Sequence, residues 1–337
     1  LISDAAWPRC DGVNAMELAG ARCLVTGAAG FIGSHLCERL LDARASVVAV
    51  DCFTDYYSPE LKRRHLAVAM DRPGFLLMDV DLARAEPASL LEGVDVIFHL
   101  AAQTGVRASW GGDFPLYLER NLLGTQRLLE AMAATASKAR LVFASSSSVY
   151  GDAESLPTRE EAVRRPVSPY GVTKAACEDL LRIYGASYGF SWLALRYFTV
   201  FGPRQRPDMA FHRLLKAALT GTAFTVFGDG RQERDVTYVS DIVAATLAAA
   251  VARVSGECIN IGAGRMVALR EVLEHVRSFA SPGFTLQYGS TERGDARATG
   301  ASIEKAHRLL AYAPQVEWRE GIERQRREIE ATLKDEG

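Results

Sequence analysis

Residues 22–33 read RCLVTGAAGFIG. A short apolar run enters Gly27, Gly30 and Gly33, and Phe31, Ile32, Leu36, Leu40 and Leu41 then recur at helical spacing. The pattern predicts a strand, a glycine turn and a helix in direct succession. Such a turn lets a pyrophosphate approach bare backbone at the positive end of a helix. The next apolar segment, SVVAVD, predicts a second strand ending in Asp51. A carboxylate at that place suits the ribose hydroxyls of NAD and repels the extra phosphate of NADP. The spacing is Gly-x-x-Gly-x-x-Gly rather than Gly-x-Gly-x-x-Gly, so the glycines alone also fit a turn in another α/β protein. Lys62, Arg63 and Arg64 are basic residues that suit a 2′-phosphate and count against strict NAD selectivity.

The alternation continues. Strands are predicted at 75–82, within 90–102, at 139–146 and at 191–202, with helices over about 115–135 and 169–187. Alternating strands and helices imply right-handed crossovers and a parallel, doubly wound sheet. Ligands of such sheets sit outside the carboxyl ends of the strands. Gly27–Gly33, Asp51, Asp79, the stretch 101–107, Ser145–Ser148 and Thr199 all fall there. The expected organisation is a Rossmann-type domain over 19–198 and a smaller α/β substrate lobe over 199–337. Strands near 236–239 and 258–261 belong either to that lobe or to the first sheet. Residues 1–18 are expected to be a poorly ordered leader.

Composition narrows the function. A net charge of −2 over 337 residues offers no broad basic field to nucleic acid. No apolar run reaches the roughly 18 residues of a membrane span. The six cysteines form no CxxC pair and the six histidines no metal-ligand spacing. A cytoplasmic protein with reduced thiols and no metal is expected.

A second constellation follows strand 139–146. Four serines, Ser145 to Ser148, end the strand, and SPYGVTK begins at Ser168. Ser168 and Pro169 suit an N-cap and the first helical position. Tyr170 and Lys174 then share a helical face. An ammonium beside a phenol favours the phenolate, which makes Tyr170 a candidate general base. Tyr-x-x-x-Lys alone is also common on ordinary surface helices.

Together, GAAGFIGSHL, Asp51, HLAAQ (99–103), Asn121, SSSSVYG (145–151) and YGVTK (170–174) resemble the extended short-chain dehydrogenases/reductases that act on nucleotide sugars. The stretches 196–211 and 227–239 are most similar to UDP-glucuronate 4-epimerases. The resemblance implies tightly bound NAD, held by Gly27, Gly30, Phe31, Ile32, Gly33, Asp51, Asp79, Val80, Leu100, Ala101, Ala102, Asn121, Tyr170, Lys174 and Tyr197. It implies Ser146 as the catalytic hydroxyl, Tyr170 as the base and Lys174 as its partner. A UDP-sugar would meet Arg107, Ser147, Ser148, Thr199, Arg206, Arg234 and Arg293, with Ser147, Ser148 and Thr199 on a sugar carboxylate. A homodimer through the helices near 115–135 and 169–187 is implied too.

The implied reaction removes hydride from C4 of the sugar, turns the 4-keto intermediate and returns hydride to its other face. Dehydratases of the family resemble Thr-Asp-Glu at 146–148, and decarboxylases carry glutamate at the position of Ser148; neither acid is present here. UDP-glucose 4-epimerase, decarboxylase and 4,6-dehydratase remain the alternatives within the family. An NAD-binding protein without turnover is the alternative outside it.

Overall fold

The computed structural model describes residues 15–290 and 298–336. From the N-terminal side the chain forms β1 (Arg22–Thr26), α1 (Phe31–Asp42), β2 (Ser46–Asp51), α2 (Pro59–Met70), β3 (Phe75–Asp79) and β4 (Val96–His99). A helical stretch follows: α3 (Phe114–Tyr117), a π-helical segment (Leu118–Leu123) and α4 (Gly124–Ala134). Then come β5 (Arg140–Ser146), α5 (Pro169–Tyr188), β6 (Trp192–Tyr197), β7 (Thr199–Phe201), α6 (Ala210–Thr220), β8 (Ala223–Phe227) and β9 (Glu233–Tyr238). The remainder is α7 (Val239–Val251), β10 (Glu257–Ile261), β11 (Met266–Ala268), α8 (Leu269–Arg277), β12 (Thr285–Gly289), β13 (Ala298–Thr299), α9 (Glu304–Leu310) and α10 (Trp318–Glu336).

The main sheet has the order β10-β6-β5-β4-β1-β2-β3, with every pairing parallel. Side chains along a strand alternate between its two faces. Cys23 and Val25 therefore pack with Leu36 and Leu40 of α1 and with α7. Leu24, between them, packs on the other face with Leu128 and Met132 of α4 and Cys177 and Leu181 of α5. Strands covered on both faces read as continuous apolar runs, which is why they were legible in the sequence. The order reverses between β1 and β4, and a ligand crevice opens at such a switch point.

Four expectations need adjustment. The strand expected over 75–82 ends at Asp79. The strand expected over 191–202 is two strands separated by Phe198: β6 lies in the main sheet, and β7 pairs with β9 in a second sheet of order β11-β9-β13. Its largely apolar character, broken by the buried Arg196, reflects burial in both sheets and conceals the change of sheet. Of the two segments left open, β10 extends the main sheet and β9 does not. Of the leader expected over 1–18, residues 1–14 lie outside the described residues, but Leu18 is buried in the main core. Among the described residues no helix is long and apolar enough to cross a membrane.

Candidate active site

Thr26 and His99 lie opposite each other on adjacent strands, and the crevice begins just beyond them. A Cβ at Gly33 would stand 2.1 Å from the carbonyl oxygen of Gly27, so only glycine lets α1 start this close to the turn. Asp51 braces the turn from β2. Its Oδ2 accepts the Ala29 N–H at 3.0 Å and its Oδ1 the Phe53 N–H at 2.9 Å. Burial pushes its carboxyl pKa up, against those bonds and the charge of Lys62.

A cleft runs from this turn to α5. Of the positions expected to hold the cofactor, all but Asp79 and Asn121 line it. Asp79 turns outward, with its carboxylate 3.8 Å from Arg63. Val80, the next residue, faces the cleft. Asn121 is buried behind it. Its Oδ1 accepts the Gln103 N–H at 2.7 Å, and its Nδ2 donates to the Gln103 carbonyl and to Thr173 Oγ1, both at 3.0 Å. Asn121 thus clamps the loop after β4 to α5 from inside the π-helical segment. Lys62 lines the cleft, but its ammonium is held by the Thr54 carbonyl and hydroxyl at 2.5 and 3.0 Å. Arg63 lies 4.1 Å over the Phe53 ring.

Ser168 caps α5, accepting the Gly171 N–H at 3.1 Å, a contact of about 1 kcal/mol. A Cβ at Gly171 would stand 2.5 Å from the Ser148 carbonyl, so the helix start is pressed against the serine turn. Ser146 Oγ accepts the Ser148 N–H and donates to Ser148 Oγ, both at 3.1 Å. Ser146, Ser147 and Ser148 are half-buried and line neither cavity.

Tyr170 and Lys174 both face the cleft. The expectation that Lys174 draws down the tyrosine pKa is corrected. Burial pushes the Tyr170 phenol up, and the opposing influences are a hydrogen bond with Ser146 and the charge of Arg206. Lys174 donates instead to the Ala144 carbonyl at 2.7 Å and lies 4.7 Å from the Phe143 ring centroid. Burial lowers its own pKa to about 8.

A second cavity of about 520 Å³ adjoins the cleft, within the usual size range of small-molecule sites. Arg107, Thr199, Arg206 and Arg234 line it, as does Arg213. Among the described residues Asp208 is the one carboxylate on its wall, and it is engaged by Arg206 in two bonds of 2.9 Å. Guanidinium groups on a cavity wall suit an anionic ligand. Arg107 lies 4.3 Å over the Phe227 ring, from the loop after β4 to β8. Arg206 and Tyr56 line both cavities. Arg293 lies outside the described residues.

A description of the NAD dependent epimerase/dehydratase family matches residues 23–262. The chain belongs to this family. Three relatives of similar length stand near it. The uncharacterized UDP-glucose epimerase YtcB of Bacillus subtilis is 44% identical over 303 residues, covering 89% of this chain and 95% of the relative. The UDP-glucuronic acid 4-epimerase of Bacillus cereus, solved with UDP-glucuronic acid and NAD, is 40% identical with a TM-score of 0.88, covering 92% of this chain and 99% of that one. MoeE5, solved with UDP-glucuronic acid and with UDP-glucose beside NAD, is 40% identical with a TM-score of 0.83, covering 93% and 100%.

As a member of the NAD dependent epimerase/dehydratase family the chain uses NAD, and its cleft fits that group. The approach at Gly33 leaves no room for a side chain, Asp51 stands at the end of β2, and Tyr170 and Lys174 close the far end. Sequence reasoning missed Tyr56, Asp208 and Phe227. Tyr56 donates to Asp208 Oδ2 at 3.3 Å, so it supports the acid that holds Arg206. Aromatic residues in FTDYYSP after the Asp51 strand were the available signal.

Proposed function

We propose that this protein is a 4-epimerase of UDP-sugars and that UDP-glucuronate, converted to UDP-galacturonate, is its preferred substrate. The carrying observation is the cavity beside Tyr170. Its described wall combines a hydroxyl, Thr199, with four arginines, and the one carboxylate among the described lining residues, Asp208, is paired with Arg206. A diphosphate and a sugar carboxylate together supply the negative charge that such a wall favours. The serine turn, with no acid at 146–148, supports epimerisation over water loss or decarboxylation. NAD, when bound, accepts hydride from C4 and returns it. The chain does the rest: Tyr170 takes and returns the proton of the C4 hydroxyl with Ser146 as its hydrogen-bond partner, and the arginines orient the anion. Orientation and proton transfer are the protein's share of such reactions.

A second reading, epimerisation of UDP-glucose, is favoured by the description of YtcB and by the UDP-glucose complex of MoeE5. Incubation with UDP-glucuronate and with UDP-glucose, followed by NMR of the products, separates the two. A larger kcat/KM for UDP-glucuronate, with little carbon dioxide released, is expected. A larger value for UDP-glucose establishes the second reading.

The same proposal includes a homodimer in a reducing compartment. Leu116, Leu123, Val172 and Ile183 are exposed apolar residues on the two helical stretches expected to pair. Cys23, Cys37, Cys52, Cys177 and Cys258 are free thiols. Sedimentation of the wild type as a dimer, and of Leu123→Glu with Ile183→Glu as a monomer, tests the assembly.

A further inference from the structure

Glu178 lies on α5 one turn beyond Lys174 and two beyond Tyr170, so the three side chains share a helical face. It is 3% exposed and lines neither cavity. Its Oε1 accepts the Ser145 hydroxyl at 2.6 Å and Arg196 Nε at 2.9 Å. Its Oε2 accepts Arg196 Nη2 at 2.8 Å and Arg164 Nη1 at 3.3 Å. Arg196, on β6, continues the network to the Tyr150 hydroxyl at 2.6 Å, which donates to Asn260 Oδ1 at 2.7 Å.

A buried ion pair is weak evidence for stability, since packed apolar residues often serve as well. The Glu178 carboxylate does something an apolar side chain does not: it reaches Ser145. Lys174 holds the carbonyl of Ala144 at 2.7 Å, and Glu178 holds the hydroxyl of the next residue. Two consecutive turns of α5 thereby grip two consecutive residues of β5. Ser146, which opposes the upward shift of the Tyr170 phenol, comes next.

We propose that Glu178 is a positioning residue of the reaction, which sets the end of β5 against α5 through Ser145 and places a negative charge one turn from the Lys174 ammonium. On α5, Cys177 and Glu178 support that ammonium against burial. From β4, His99 couples to it but is kept neutral. From the loop after β7, Arg206 acts on Tyr170, the other titratable group on this face. With Glu178 made neutral, Lys174 loses its proton at lower pH.

The rate readout rests on the epimerase reading; the titration does not. The NAD-loaded protein with isotope-labelled lysine is titrated by NMR, with the Lys174 signal assigned by its loss in Lys174→Met. In Glu178→Gln the Lys174 midpoint is expected to fall by about one pH unit. The double variant Glu178→Gln with Arg196→Met removes the stranded guanidinium, in case the single change does not fold, and is expected to show the same fall. Ser145→Ala is expected to keep the midpoint and lose about tenfold in kcat, with KM little changed, on whichever UDP-sugar the wild type turns over. An unmoved Lys174 midpoint in a folded variant lacking Glu178 overturns the proposal. So does a wild-type kcat in Ser145→Ala.

Discussion

Arg206, from the loop after β7, draws the Tyr170 phenol pKa down against burial, while Lys174, on the same helix as Tyr170, donates to the Ala144 carbonyl. Arg206 is in turn held by Asp208 through two bonds of 2.9 Å. Since burial raises the Tyr170 pKa and Arg206 lowers it, removing Arg206 raises it further. A general base works only when deprotonated. The acidic limb of the pH–rate profile is therefore expected at higher pH in Arg206→Gln than in the wild type. An acidic limb that stays in place would show that another charge sets the phenol.

Tyr170→Phe keeps the ring and its edge-on contact with Tyr117, at 6.3 Å between centroids. Folding and NAD content are expected to survive, while turnover falls by about 10² or more. Circular dichroism, cofactor released on denaturation and product formation by NMR measure the three quantities. Near-normal turnover would assign the proton transfer to another group.

Asp51 serves both the cofactor end of the cleft and the backbone of the glycine turn. Cofactor released from purified wild-type protein is expected to be NAD rather than NADP. Asp51→Asn keeps an acceptor for only some of these bonds and removes the charge. It is expected to bind NAD less tightly and to discriminate less against NADP, because Lys62 remains on the cleft wall. Binding constants for both cofactors decide it, and unchanged discrimination would move that role elsewhere.

His99 sets a pH window for stability. Thr125 gives its proton to the Asn121 carbonyl at 2.6 Å, so the network assigns Nε2–H of His99 as donor to Thr125 Oγ1 at 3.0 Å. Nδ1 then accepts from Thr26 Oγ1 at 2.7 Å. Burial, aided by the Lys174 charge, lowers the His99 pKa from 6.5 to about 3. Between those values the unfolded chain binds a proton that the folded one refuses. This group's contribution to stability is thus present above 6.5 and falls by about 1.4 kcal/mol per pH unit as pH drops through the window. His65, lowered to about 3 as well, adds a similar slope. Urea unfolding at pH 7 and pH 5 should show a smaller loss for His99→Gln than for the wild type; equal losses would refute the assignment.

Thr199→Val tests the sugar pocket. The hydroxyl faces the second cavity, and a site built around a polar group rejects ligands lacking it by large factors. The substitution is expected to reduce kcat/KM for UDP-glucuronate more than for any neutral UDP-sugar. An equal reduction for both would place the carboxylate elsewhere.

The main sheet and the cofactor cleft were legible because their signals are local. Apolar runs mark buried parallel strands, Gly33 sits where a Cβ has no room, and Asp51 accepts two backbone N–H groups of the adjoining turns. Tyr170 and Lys174 were legible as a pair, since helical spacing alone puts them on one face. Their electrostatics were not. The charge on Tyr170 comes from a residue 36 positions later, and Lys174 turns to a strand carbonyl that spacing does not reveal. Asn121 was assigned to the cofactor, yet it holds backbone from Gln103 behind the cleft. Asp79 ends its strand beside Arg63 and does not line the cleft, whereas the neighbouring Val80 does, a difference in phase that strand spacing alone leaves open.

Phe198 alone separates Tyr197, on the cofactor cleft, from Thr199, on the second cavity. Its N–H is fixed to the Ile261 carbonyl at 3.0 Å and its side chain is buried. At roughly 3.3 Å per extended residue, the chain passes from one cavity wall to the other in two residue steps. The spacing between these two points on the cavity walls is therefore set by covalent geometry, like the jaws of a fixed-gap gauge.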